Sequence, residues 1–224
     1  VSTKGIIFSA PMVRALLAGR KTQTRRLIKP KTGPMEPGDI LVSWPADSFI
    51  RQGAKFRPPY APGDRLYVRE AWAKDDLIPN GVRYVATDAI HELRKKRPSI
   101  HMPRWASRLW LEVTEVRVQR LQDISEADAI AEGIVWQEPT EEDLQWAVDQ
   151  AVEYGTSADV QGVWTVPGMG GPGKADIWGV TARQSYQFLW NTLHTAPGTR
   201  WQDNPWIVAV SFPVHHGNVD EVAA

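Results

Sequence analysis

Residues 9–27 dictate a short helix, a forced stop and a strand, in that order. Ser9 is placed to cap the helix, and Pro11 falls in its first turn, where a missing N–H costs little. Met12, Val13, Leu16 and Leu17 recur at helical spacing and make one apolar face. Gly19 supplies the left-handed residue on which helices end. Beyond it Thr22, Thr24 and Arg26 alternate with Gln23, Arg25 and Leu27, the two-residue period of a strand. Lys21 and Thr24 face opposite ways on one continuous strand, so they meet only if Lys21 comes from the turn and Thr24 from the strand's start. A lysine near a threonine supplies a base and a nucleophile. Arg20, Arg25 and Arg26 around them suit a phosphate-bearing substrate. The same residues also make an ordinary solvated basic turn, and spacing alone does not separate the two.

Four further segments carry strong local patterns. Pro62-Gly63-Asp64-Arg65-Leu66-Tyr67-Val68-Arg69-Glu70 reads as a turn feeding a strand, and Trp110-Leu111-Glu112-Val113-Thr114-Glu115-Val116 as a second strand. Ser125 caps a helix with Asp128 three residues on and Gly133 as its stop, and Asn204-Pro205-Trp206-Ile207-Val208-Ala209-Val210 closes with another strand. The expected strands lie near 6–8, 22–28, 65–72, 110–118 and 206–212, with helices near 10–18, 125–132 and 183–194.

With Gly19-Arg20-Lys21-Thr22-Gln23-Thr24, these segments stand in the order found in the ASCH domain, a small β-barrel related to the PUA RNA-binding fold, and the chain resembles that family over about half its length. The resemblance implies an α+β fold: a PUA-like (ASCH) β-barrel with flanking helices, one domain over 1–224. It is closest to the longer, phage-associated members, with insertions at about 30–60, 74–104 and 135–182. Those insertions build a lid or a second surface, or close the pocket, so they bear on substrate identity more than on fold.

One branch of that family consists of small amidohydrolases that deacetylate N4-acetylcytidine. Their lysine, their threonine three residues later and their glutamate late in the helix after the central strand correspond to Lys21, Thr24 and Glu132 here. The resemblance therefore implies a Thr24 nucleophile and a Lys21 base, partly desolvated and so with a lowered pKa. Glu132 orients that base or relays a proton to the leaving amine, and the roles of Lys21 and Glu132 are open to exchange. Glu132 falls in the last helical turn, where the helix dipole disfavours a negative charge and a cation such as Lys21 relieves it. Arg20, Arg25, Arg26, Arg69 and Glu70 complete the expected substrate-binding set, with Arg26 on the oxyanion or a phosphate. None of the three catalytic candidates is expected to fill the core. Two rivals share the cleft: an RNA-binding module or ribonuclease, and non-catalytic recognition of a modified base.

The chain has no cysteine, which excludes disulfides, cysteine nucleophiles and thiolate zinc sites. Its five histidines form no ligand pattern, so no metal and no cofactor is expected. No apolar run approaches membrane-spanning length and no signal peptide opens the chain, so a cytoplasmic location is expected, and Val1 in place of Met points to processing or trimming. The net charge is zero, yet residues 1–111 hold 21 Lys and Arg against 9 Asp and Glu, and residues 112–224 hold 5 against 17. The basic residues fall in two patches: Arg20, Lys21, Arg25, Arg26, Lys29 and Lys31, then Arg94, Lys95, Lys96 and Arg97 with Arg104 and Arg108. Such segregation fits a modified nucleoside or nucleotide, or RNA, as partner, unless the halves interleave and cancel.

Of 11 tryptophans, Trp72, Trp110, Trp190 and Trp206 lie in patterned segments and are assigned to the core. Trp44, Trp105, Trp164, Trp178 and Trp201 lie in loop contexts, where packing outweighs base stacking as the expectation for any one of them. Thr140 caps an expected helix whose apolar face is Leu144, Val148, Ala151 and Val152. The run Gly168-Met169-Gly170-Gly171-Pro172-Gly173-Lys174-Ala175 imitates a phosphate loop, but Ala175 replaces the required hydroxyl and Pro167 and Pro172 spoil the geometry. It reads as a flap.

Overall fold

The computed structural model describes residues 2–28, 42–44, 48–51, 54–56, 58–79, 81–89, 95–138, 141, 145, 163–167, 177–179 and 181–221. The expected helix over 140–152 lies almost wholly outside these residues, as do the run Gly168–Ala175 and the basic residues Lys29, Lys31 and Arg94.

The chain opens with β1 (Thr3–Ile7), α1 (Ala10–Leu17) and β2 (Gln23–Leu27). There follow β3 (Val42–Trp44), β4 (Ser48–Arg51), β5 (Ala54–Phe56), β6 (Arg65–Arg69), β7 (Trp72–Lys74), β8 (Val82–Tyr84) and β9 (Lys96–Arg97). After these come β10 (Leu109–Glu112), β11 (Glu115–Arg120), α2 (Glu126–Ala131), β12 (Val135–Gln137), β13 (Val163–Val166) and β14 (Ile177–Gly179). The described chain closes with α3 (Ala182–Leu193), β15 (Trp206–Ser211) and β16 (Val214–His216).

The fold is α+β and mostly strand. A mixed four-stranded sheet has the order β1-β6-β10-β16, with β1 parallel to β6 and the other pairs antiparallel. The remaining sheets are three-stranded: β11-β15-β2, β12-β13-β14, β3-β4-β5 and β8-β7-β9. Among the described residues no sheet closes on itself, so the expected barrel is not completed by hydrogen bonds there.

Two bends explain why. The strand expected over 110–118 breaks at Val113 and Thr114: Val113 N–H donates to Asp64 O at 2.9 Å, whereas Thr114 N–H donates to Ser211 O at 3.0 Å. The chain changes partners between those residues, and β10 and β11 join different sheets. The strand expected over 65–72 breaks at Glu70, whose N–H donates to the Met102 sulfur at 3.2 Å instead of to a strand neighbour.

The chain forms two compact units and passes between them four times. The first comprises Val1–Arg25, Ile40–Val118 and Val208–Ala224, and its core includes Ile6, Val13, Leu16, Leu66, Val68 and Leu109. Asp64 ties its edge together, accepting from Ser2 N and Oγ, Lys4 Nζ and Ala61 N at 3.1, 2.8, 2.9 and 3.1 Å. Burial pulls the Asp64 carboxyl upward, but these donors outweigh it and hold its pKa at about 2.

The second unit comprises Arg26–Asp39 and Gln119–Ile207, with α3 packed against α2, β13 and β14. Thr181 caps α3 by accepting from Gln184 N at 3.1 Å, and Tyr186, Leu189 and Trp190 are buried while Leu193 is exposed. Trp201, expected in a loop, is buried beside a 3₁₀ turn, its N–H bonded to Asn191 Oδ1 at 2.9 Å. Trp206, expected in the core, is only half-buried, with the Arg120 guanidinium 4.5 Å over its ring. No helix among the described residues is long and apolar enough to cross a membrane.

Candidate active site

Helix α1 leads into the segment that carries Lys21 and Thr24. Its apolar face buries Met12, Val13, Ala15 and Leu16, with Leu17 only half-buried. Ser9 occupies the cap position, but its side chain makes no cap hydrogen bond. Pro11 has removed one of the donors such a cap serves.

The helix ends in a complete Schellman arrangement. Gly19 has φ +67°, its N–H reaches Leu16 O at 3.0 Å, and Arg20 N–H reaches Ala15 O at 2.9 Å. Lys21 N–H adds a third bond to Ala15 O at 3.2 Å. These bonds turn the chain so that Lys21 leaves the helix end with its backbone held, two residues before β2 begins. On the far side Thr22 O accepts from Phe212 N at 2.9 Å, and Gln23 Nε2 donates to Ser211 Oγ at 3.2 Å. Thr24 is the second residue of β2. Lys21 therefore comes from the turn and Thr24 from the strand's start.

Both side chains are deeply buried, each 1 % exposed, and Lys21 is among the largest fully buried side chains of the described residues. Its amine lies 5.7 Å from the centroid of the Phe8 ring, within reach of a cation–π interaction. This corrects the expectation that neither would fill the core: the Lys21 stem packs where a long apolar side chain would sit. Arg25 is buried as well, and Arg20 and Arg26 are half-buried.

Glu132 belongs to the second unit and is 3 % exposed. Ser125 Oγ accepts from Asp128 N at 3.1 Å and starts α2, and Gly133, with φ +98°, stops it. Glu132 is thus the C-cap residue, its N–H bonded to Asp128 O and Ala129 O, both at 3.1 Å. Around α2, Glu126 accepts from Arg183 N at 3.3 Å, and Arg183 Nη2 reaches Gln122 O at 3.0 Å. A carboxylate at a helix C-terminus meets the unfavourable end of the dipole.

Arg69 and Glu70 have definite duties. Arg69 donates through Nε to Met102 O at 3.2 Å and through Nη2 to Ile100 O. Glu70, 1 % exposed, takes a two-pronged ion pair from Arg108, Nε to Oε1 at 2.8 Å and Nη2 to Oε2 at 3.0 Å. The Arg108 guanidinium stacks 3.9 Å over Tyr84 and reaches Thr87 Oγ1 at 3.0 Å. Burial pushes the Glu70 carboxyl above its ordinary value, against the pull of Arg108. The sequence reading placed Arg108 in a basic patch and missed this pair. The signal was the register: β10 opposes β6 with Trp110 against Tyr67, which carries Arg108 to the end of β6 where Glu70 follows. No group of three or more His, Asp or Glu among the described residues is placed to hold a metal ion.

No family model and no curated protein matches the chain. A high-resolution crystal structure of an ASCH domain from Lactobacillus crispatus JV V101 is similar to it at 12 % identity and a TM-score of 0.34, over 95 % of this chain and 79 % of that one. A likeness of that degree fixes neither fold nor function.

Proposed function

We propose that this chain is an amidohydrolase that removes the acyl group from a modified pyrimidine nucleoside of the N4-acetylcytidine kind, on one PUA-like ASCH domain elaborated by insertions. The observation that carries the reading is the burial of Lys21 and Thr24 together in one backbone-locked segment, at 1 % exposure each. A lysine amine and a threonine hydroxyl carried on one segment supply a base and a nucleophile.

In the proposed reaction Thr24 Oγ attacks the acyl carbonyl carbon and Lys21 Nζ takes the hydroxyl proton. The tetrahedral intermediate collapses, its carbon–nitrogen bond breaks, and the exocyclic amine leaves with a proton returned from Lys21 directly or through Glu132. Water then attacks the acyl ester on Thr24, the released acid departs as carboxylate, and the hydroxyl is restored. Arg26 serves the oxyanion or a phosphate, and Arg20 and Arg25 favour an anionic substrate. Arg69 and Glu70 hold the end of β6 through the Met102 segment and Arg108.

The test is incubation of the protein with a panel of N4-acylated cytidines and a short acetylated RNA, with products followed by mass spectrometry. Loss of the acyl group and appearance of cytidine is the expected outcome. Intact substrates throughout the panel contradict it.

A further inference from the structure

A cavity of about 490 Å³ opens in the first unit, lined by Lys95, Lys96, Arg97, Pro98 and His101. It lies within the stretch 74–104, outside the segment that holds Lys21 and Thr24. Among the described residues three of its five lining side chains are cations, and His101 adds a fourth polar group. All four are exposed, and among the described residues Lys95, Lys96 and His101 have no carboxylate partner. Nearby acids are already engaged: Asp75 pairs with Arg83 at 2.6 Å, Asp76 with Lys74 at 3.0 Å, and Asp220 with Arg104.

The backbone beneath these charges is fixed. β9 is the edge strand of β8-β7-β9, with Lys96 and Arg97 in register against Ala73 and Trp72. His101 N–H bonds to Pro98 O and Met102 N–H to Ser99 O, both at 3.0 Å, and Arg69 holds the Ile100 and Met102 carbonyls from below. Cations carried on an edge held by these hydrogen bonds are preorganised for an anion.

One more observation narrows the anion. The Arg97 guanidinium sits 5.0 Å over the Trp72 ring, and Trp72 meets Trp105 edge-on at 6.3 Å. Trp72 is buried, but Trp105 is 60 % exposed. A large aromatic face left in water one ring away from the Arg97 guanidinium, on a strand that also carries Lys96, is the pairing that single-stranded nucleic acids use, phosphates on the charges and a base on the ring. A lipid surface or a free phosphate needs the charges but gives the indole face no flat partner.

We infer that the Lys95–His101 groove, with Trp105, binds the backbone and a base of a single-stranded nucleic acid. The inference stands apart from the reaction proposed at Thr24, and its test reads binding alone. The experiment is fluorescence anisotropy of labelled oligo(U) and oligo(dT) of about twelve nucleotides, across a salt series, with the whole chain. Affinity should fall with salt, with a log–log slope of about −2 for three phosphate contacts at about 0.7 each. Lys95→Gln and Lys96→Gln should each flatten that slope by about 0.7. Trp105→Ala should weaken binding on the order of tenfold and leave the slope unchanged, because stacking releases no counterions. Arg200→Gln, a cation elsewhere on the surface, should change neither. Lys95, Lys96 and Trp105 are exposed and Arg200 is half-buried, and a thermal unfolding curve for each variant verifies the fold. Absence of saturable binding overturns the inference, as does a slope indifferent to Lys95 and Lys96, or capture by phosphatidylserine vesicles in place of the oligonucleotides.

Discussion

Replacing Arg108 by alanine leaves the Glu70 carboxylate buried without the two guanidinium hydrogen bonds it now accepts at 2.8 and 3.0 Å. At that separation unit charges attract by about 6 kcal/mol at an effective dielectric of about 20. Desolvation of the two groups consumes much of this, so the variant measures chiefly the cost of stranding a charge, about 3–5 kcal/mol for a buried pair. The Arg108 side chain is itself 22 % exposed, so water enters when it is removed and the lower figure applies, about 3 kcal/mol. Glu70→Ala strands an arginine that still has Thr87 and solvent, and should cost less, about 1–2 kcal/mol. In a chain of this size the larger loss lowers Tm by roughly 6–12 °C. The assay is denaturant and thermal unfolding of wild type, both single variants and the double, closed as a cycle with an expected coupling of about 1–3 kcal/mol. An Arg108→Ala protein within about 1 kcal/mol of wild type, or additive single effects, refutes the reasoning. A pH arm follows from the same pair. The Glu70 carboxyl is raised when folded, so the folded state binds its proton more tightly, and stability falls as pH rises from 4.5 toward the folded value. Glu70→Gln should remove that fall.

Asp64 gives the opposite slope. Its folded pKa of about 2 lies below the ordinary 3.8, so its contribution is complete above 3.8 and disappears as pH falls toward about 2. The shift corresponds to about 2 kcal/mol, reduced to about 1 because Lys4 is half-exposed and water screens the pair; Asp64→Asn should lose that amount at neutral pH and flatten the acid limb of a urea-midpoint titration. Lys21 separates packing from chemistry. Lys21→Met should keep near-native stability with no turnover, whereas Lys21→Ala should lose turnover and about 2–3 kcal/mol, measured by urea unfolding, because it empties a fully buried volume. Turnover surviving in Lys21→Met removes the amine from the mechanism.

The segments with a strict local grammar were legible from sequence. The stop at Gly19, the cap at Ser125, the stop at Gly133 and the start of β2 all follow from single residues whose backbone demands are strong. The bends at Glu70 and at Val113 were not legible, because each depends on a distant partner: a methionine sulfur 32 residues away in one case and Ser211 in the other. Alternation continues through both positions, so period alone reads one strand where there are two. The site divides in the same way. The turn that carries Lys21 and the strand start that carries Thr24 were legible, but their depth of burial was not, since nothing local distinguishes a solvated basic turn from one folded inward. Trp105 and Trp201 show the limit from the other side. Both sit in short 3₁₀ contexts, yet one is exposed and the other buried, and only their tertiary neighbours decide.

The central claim is that the Thr24 hydroxyl is the nucleophile of an amide hydrolysis. Its most direct test is the release of cytidine from N4-acetylcytidine by wild type and by Thr24→Ala, with thermal unfolding as the folding control and Glu132→Gln alongside. The account predicts turnover by wild type, none by a folded Thr24→Ala that still binds the nucleoside, and a rate lowered on the order of 100-fold in Glu132→Gln. Undiminished turnover in Thr24→Ala, or none by wild type, contradicts it.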